Sequence, residues 1–189
     1  VGAFTGEPKN GVAVEQILQV GLKVELGGGL RDIETVDRLL SLGVARAVIG
    51  TRACDSADFI KELVATYGDR IAVGIDAKDG KVAVKGWVEA TDRPAVEFAR
   101  EMAALGVSTI IYTDIATDGM LTGPNLDAME EMLQSVDCQV IASGGVSRRE
   151  DIESLKTMNE KYASLDGVIV GKALYERRVE LSDLLQIAR

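Results

Sequence analysis

The sequence predicts an α/β fold with parallel strands, laid out as two half-barrel repeats of a (β/α)8 TIM barrel with about six of the eight strands present. Three observations predict it. Short apolar runs alternate with longer amphipathic stretches, the runs end in polar or glycine-rich loops, and the chain repeats its own motifs at a nearly constant offset. Alternation of strand and helix is the signature of a parallel sheet covered by helices.

The predicted strands are residues 22–26, 45–49, 71–76, 109–113, 139–143 and 167–170. Most are continuous apolar runs, as strands covered on both faces require. Helices are predicted at 11–20, 31–42, 94–105, 125–136 and 148–158. In the second, Ile33, Val36, Leu39 and Leu40 share a face; in the third, Val96, Ala99, Met102 and Ala103 do. Residues 81–87 read as a small extension after the third strand. The strand endings are Gly27-Gly28-Gly29, Gly50-Thr51, a stretch from Asp76 to Gly80, Thr113-Asp114, Ser143-Gly144-Gly145 and Gly171-Lys172. In parallel α/β folds the carboxyl ends of strands carry the chemistry.

The repeat supplies the barrel. Residues 2–10 match 119–125, Leu26–Leu30 match Ala142–Val146, and Val48-Ile49-Gly50-Thr51 match Ile169-Val170-Gly171-Lys172, at offsets of 117, 116 and 121. An Asp-Ile-Glu helix start follows both glycine clusters, at 32–34 and 151–153. Half-repeats of this size are an architectural signal. The chain is thus expected to be a single barrel domain, with 1–70 as the remainder of the first half and 71–189 as the complete second half. Counterparts to residues 71–118 would bring it to about 237 residues, near the roughly 250 of an eightfold barrel. The expectation is that two strand–helix units precede residue 1. A chain without them should be poorly stable or associate through its open sheet edge, whereas the intact protein should be a monomer.

Composition excludes several classes of function. Of 189 residues, 47% are hydrophobic, and 30 acidic against 21 basic residues give a net charge of -9. Nucleic acid is an unsuitable partner for such a chain, because phosphate neutralisation dominates that affinity. No apolar run is long enough to span a bilayer, so no membrane partner is expected and the location is read as cytoplasmic. The absence of histidine excludes imidazole acid–base chemistry and His-ligated metal. Cys54 and Cys138 lack any metal-type spacing. The glycine loops pair as Gly27, Gly28, Gly29 with Gly50 and Thr51, and Gly144, Gly145 with Gly171 and Lys172. In an eightfold barrel these pairs face each other across the mouth, and backbone N–H groups there suit phosphate. Two cradles imply a small molecule phosphorylated at both ends. Tight packing at the glycines is the competing structural reading.

Three motifs resemble the histidine-biosynthesis isomerase family that acts on phosphoribosylformimino-aminoimidazole-carboxamide ribotide (ProFAR): the run Asp76 to Trp87, the run Tyr112 to Gly119 continued by Leu121-Thr122-Gly123-Pro124-Asn125, and the run Val168 to Tyr175. The resemblance covers essentially the whole chain. It implies an Amadori rearrangement of an aminoaldose to an aminoketose, with no cofactor and no metal, on a bisphosphorylated ribotide. Asp76 matches the family's general acid, Asp118 is a second candidate for that role, and Thr113 matches a position near the reacting sugar. The general base is implied on a strand earlier than any in this chain. Trp87 sits where stacking on an imidazole carboxamide is plausible, with Gly80 and Gly86 as hinges of its loop. Two other readings are a broader isomerase that also takes phosphoribosylanthranilate and an inactive phosphate-binding barrel fragment. Arg31, Arg52 and Arg148 lie near the phosphate loops and receive no role.

Overall fold

The computed structural model describes residues 10–84, 86, 87 and 89–188. The repeat motif at residues 2–9 lies outside them, as do Lys85 and Val88. After helix α1 (Gly11–Leu18) come β1 (Glu25–Gly27), α2 (Ile33–Ser41), β2 (Arg46–Ile49), α3 (Thr51–Asp55) and α4 (Ala57–Tyr67). The centre of the chain forms β3 (Ile71–Lys78), β4 (Lys81–Val84), β5 (Glu89–Pro94) and α5 (Ala95–Ala104). It closes with β6 (Thr109–Asp114), α6 (Leu126–Ser135), β7 (Gln139–Ser143), α7 (Arg149–Lys161), β8 (Leu165–Ile169), α8 (Lys172–Tyr175) and α9 (Leu181–Ala188).

Six strands pair in parallel in the order β1-β2-β3-β6-β7-β8, the array of a (β/α) barrel. Their period-2 alternation sorts side chains between two faces. Ile71, Val73 and Ile75 of β3, Ile110 and Tyr112 of β6, and Val140 and Ala142 of β7 are buried. They share the hydrophobic core with helix residues Phe98, Met102 and Met132. The opposite parity carries Gly74, Asp76, Ile111, Thr113 and Ser143, which line a cavity instead.

The sequence explains where the helices begin. Asp32 caps α2 by accepting the Thr35 N–H at 2.7 Å, Ser56 caps α4 through the Phe59 N–H at 3.2 Å, and Asn125 caps α6 through the Ala128 N–H at 3.2 Å. The repeated Asp-Ile-Glu does not cap in the same way twice. Asp151 lies in the first turn of α7 and reaches back: its Oδ2 accepts from the Ser147 N–H and hydroxyl and from the Arg148 N–H, at 2.8, 2.9 and 3.1 Å. Residues 147 and 148 are thereby pinned directly behind the second glycine cluster.

Several elements differ from expectation. β1 is three residues at 25–27 rather than 22–26, and Leu22 is exposed; among the described residues β1 pairs with β2 through Glu25–Gly27. Helices α3, α4, α8 and α9 and strand β5 were not predicted. α4 follows the ordinary helical pattern of a Ser cap and buried Phe59, Ile60 and Leu63, whereas α3 is too short to show periodicity. β3 runs on to Lys78 because Asp79 and Gly80, with φ of 50° and 74°, make a two-residue hairpin turn into β4. The predicted extension at 81–87 is therefore the return arm of a hairpin that folds over the end of β3.

Replacing Asp151 by Ala should cost roughly 2–4 kcal/mol, since it strands buried backbone donors and a buried hydroxyl. Chemical denaturation of the variant measures it, and Asp151→Asn should recover part of the loss.

Candidate active site

One register row organises the site. Asp76 of β3 lies opposite Thr113 of β6, Thr113 opposite Ser143 of β7, and Ser143 opposite Ile169 of β8. All four point to the same face at the carboxyl ends of their strands. The neighbouring row has the other parity, and there Asp114 points away. Its carboxylate accepts from Asn125 Nδ2 at 2.6 Å and from the Ala116 N–H at 2.9 Å, which builds the loop after β6.

Two cavities open on this row. The larger, about 520 Å³, is lined by Gly27, Gly28, Gly29, Gly50, Thr51, Asp76, Trp87 and Thr113 of the predicted residues. The smaller, about 180 Å³, is lined by Asp118, Gly144, Gly145, Gly171 and Lys172. Ser143 and Ile169 line both. Every predicted site residue thus borders one of two adjoining cavities, with one glycine pair in each. The loop after β8 and the short helix α8 beside it are the arrangement that barrels use for phosphate, and α3 after Gly50 repeats it.

The repeat extends to backbone conformation. Gly28 and Gly29 have φ of 98° and 78°, Gly144 and Gly145 of 98° and 88°. Gly50 and Gly171 share (φ, ψ) near (-98°, -117°) and (-108°, -97°). Their surroundings differ. A Cβ on Gly145 would stand 2.2 Å from the Gly123 carbonyl oxygen, and one on Gly144 would stand 2.7 Å from that of Asp114. These two glycines let the loop after β6 close onto the loop after β7, where the Gly123 N–H bonds the Gly145 carbonyl at 3.0 Å. Among the described residues, nothing lies within 4 Å of the corresponding position on Gly50 or Gly171. Gly27 packs against Val48, 3.2 Å from such a Cβ.

Asp76 has a defined setting. The Trp87 indole N–H donates to its Oδ2 at 2.8 Å, and the Thr113 hydroxyl is a second partner. Burial pushes the Asp76 carboxyl above the usual range; the two hydrogen bonds oppose that and the charge of Asp118 adds to it. Trp87 is 46% exposed and holds φ of 73°, following Gly86 at 66°. Asp118 is half-buried in the turn before Gly119, with its N–H bonded to the Asp114 carbonyl at 3.1 Å. Lys172 Nζ donates to the Gly119 carbonyl at 2.9 Å and lies 3.7 Å from Glu176, tying the loop after β8 to the loop after β6. Burial raises the Cys54 thiol to about 11 and also raises that of Cys138, so both are protonated and weakly nucleophilic at neutral pH.

Sequence reasoning left out Gly74, Ile111 and Ser143, as well as Arg31 and Arg52 of the larger cavity. Counting two residues back from Asp76 and Thr113 finds Gly74 and Ile111. The arginines carry no signal beyond lying next to the glycine loops, and Arg148 instead pairs with Asp151. Among the described residues, no group of His, Cys, Asp and Glu could hold a metal ion, and no helix is long and apolar enough to cross a membrane.

Residues 1–180 match the family model described as histidine biosynthesis protein. The chain is 61% identical over 187 residues to the 1-(5-phosphoribosyl)-5-((5-phosphoribosylamino)methylideneamino)imidazole-4-carboxamide isomerase of Opitutus terrae, covering 99% of this chain and 77% of that protein. It is 45% identical to the isomerase of the same name from Thermoanaerobacter pseudethanolicus, over all of this chain and 78% of the relative. The isomerase of Desulforamulus reducens is 47% identical, again over the full chain and 76% of its own length.

The glycines separate by stability. Gly145→Ala should lose roughly 2–4 kcal/mol, from a left-handed backbone and a steric clash. Gly50→Ala and Gly171→Ala, where the added Cβ meets no described atom, should lose less than Gly145→Ala. Thermal melts of the three variants would show this ordering.

Proposed function

The chain belongs to the histidine-biosynthesis protein family, and from that membership we propose that it isomerises the ProFAR aminoaldose to its ribulosyl aminoketose. The observation that carries this reading is the position of Asp76, on the shared row between two glycine-lined cavities. A substrate with a phosphate at each end would lie across that row with its reacting ribose over Asp76 and Thr113. The substrate is a small ribotide.

The chemistry needs an acid at the ring oxygen and a base at C2. Asp76, in its protonated form, gives its proton to the ring oxygen as the C1–O bond breaks and the amino nitrogen's lone pair forms C1=N. A base then takes the C2 proton, and the C2–H electrons form the C1=C2 bond of an enolamine. Reprotonation at C1 with loss of the C2 hydroxyl proton gives the ketose. No electron leaves the substrate, so two carboxyl groups suffice. The base is a second carboxylate implied by the family resemblance, and none of the residues of β1–β8 is assigned to it. Thr113 orients Asp76, and Asp118 adds the negative charge that helps keep the acid protonated. Trp87 offers an exposed indole face at the cavity edge, suited to the imidazole carboxamide once its N–H leaves Asp76.

The reading is tested by incubating the purified protein with the ProFAR aminoaldose and, separately, with phosphoribosylanthranilate. Formation of the ribulosyl product from the first is expected, and no turnover of it ends the proposal. Asp76→Asn should lower turnover of the active enzyme by about two to four decades with little change in KM. Because the folded-state pKa of Asp76 is raised, its protonated population falls, and turnover with it, as pH rises through that value. The same shift acts on stability in the same direction as on activity. The contribution of Asp76 is fully present below its unfolded pKa near 3.8 and is lost as pH rises through the raised value. Asp76→Asn should therefore melt higher than the parent at neutral pH, and that advantage should vanish in acid.

A further inference from the structure

We infer that the two cradles are electrostatically unequal and that Arg52 makes the one at Gly50 the primary phosphate site; this rests on reading both glycine pairs as phosphate cradles. The backbone repeat makes them nearly equivalent, and glycine N–H groups alone would bind two phosphates alike. The side chains break the equivalence. Arg52 and Arg31 line the larger cavity beside Gly50 and the 27–29 loop. Among the described residues, neither has a carboxylate within ion-pair distance. Arg52 is half-buried, with its guanidinium carbon 5.3 Å from the centre of the buried Phe59 ring. A ring contact fixes the cation without consuming its N–H donors, so the fork is preorganised for a phosphate.

The smaller cavity has the opposite endowment. Its cation, Lys172, already donates to the Gly119 carbonyl and lies near Glu176. Each cavity also carries one carboxyl, Asp118 in the smaller and Asp76 in the larger, so the difference between them lies in the arginines. In a chain of net charge -9, the local balance decides where a dianion settles. The pseudo-symmetric site is thereby given a direction, with one phosphate anchored at Arg52 while the other is held more loosely.

Titration of the wild-type protein with inorganic phosphate, followed by phosphorus NMR, should resolve a tighter and a weaker site, and added salt should weaken the tighter one more steeply. Arg52→Met, which keeps the stem against Phe59, should weaken the tighter site about tenfold or more, the loss of a charge-assisted contact. Lys172→Gln should leave the tighter site unchanged. In the isomerase assay, Arg52→Met should raise KM by more than it lowers kcat. Equal affinities in the wild type, an unaltered tighter site in Arg52→Met, or its loss in Lys172→Gln would overturn the inference. Should Arg52→Met not fold, the two wild-type affinities and their salt slopes decide alone. Two unequal phosphate sites without aminoaldose turnover would leave this inference standing and reject the proposed reaction.

Discussion

The parallel register between β3 and β6 is the constraint on which the site depends. It sets Asp76 opposite Thr113, and the same row continues through Ser143 to Ile169. Strand side chains alternate strictly, so a slip of one residue would exchange Asp76 for Ile75 or Ala77 and send the carboxyl toward the helices. The apolar parity of the same strands forbids that slip. Ile71, Val73 and Ile75 have no exposed surface, and turning them toward the cavity would forfeit about 1.5–3 kcal/mol for each side chain. Burial on one face thus fixes the chemistry presented on the other.

The internal repeat fixes the rest of the site, and it shows how one backbone shape serves two purposes. Glycine-rich loops recur after β1 and β7, and a glycine recurs after β2 and β8 with nearly matching dihedrals. Yet Gly144 and Gly145 are filled from behind by the 114–123 loop, whereas Gly50 and Gly171 face open space. The first pair of positions joins two loops of the barrel mouth. At the second, no described residue comes within 4 Å of an added Cβ. A motif search treats these glycines alike; the space around each one separates them.

Much of this was legible in the sequence. The six strands of the array, the carboxyl-end loops and the grouping of the predicted residues into two glycine-lined cavities follow from periodicity and self-similarity. The resemblance singled out Asp76, Thr113 and Trp87, which the structure brings to one cavity. What was not legible has physical causes. A five-residue helix such as α3 has no periodicity to read, and the bounds of β1 follow its register with β2 rather than its apolar residues. The contact between Trp87 and Asp76 depends on the hairpin turn at Asp79-Gly80, which reverses the chain and returns residue 87 over residue 76. Asp79-Gly80 read only as an ordinary turn, and a turn signal does not state what the returning arm will meet.

That hairpin also bears on the acid role proposed for Asp76, because it keeps a buried carboxyl from being left unsupported. Burial alone would raise the Asp76 pKa at the cost of an unsatisfied polar group. Trp87 and Thr113 supply partners, but as donors they favour the charged form. The residue is held between these opposing effects, with desolvation prevailing. A ligand that fills the larger cavity removes more water from Asp76. If it also draws the Trp87 indole onto its own ring, it removes one of the two donors as well. Both changes favour the protonated carboxyl, so under the proposed mechanism occupying the cavity would also arm Asp76. Trp87, whose indole contacts Asp76 and whose backbone is left-handed, is the residue that would join the two in that proposal.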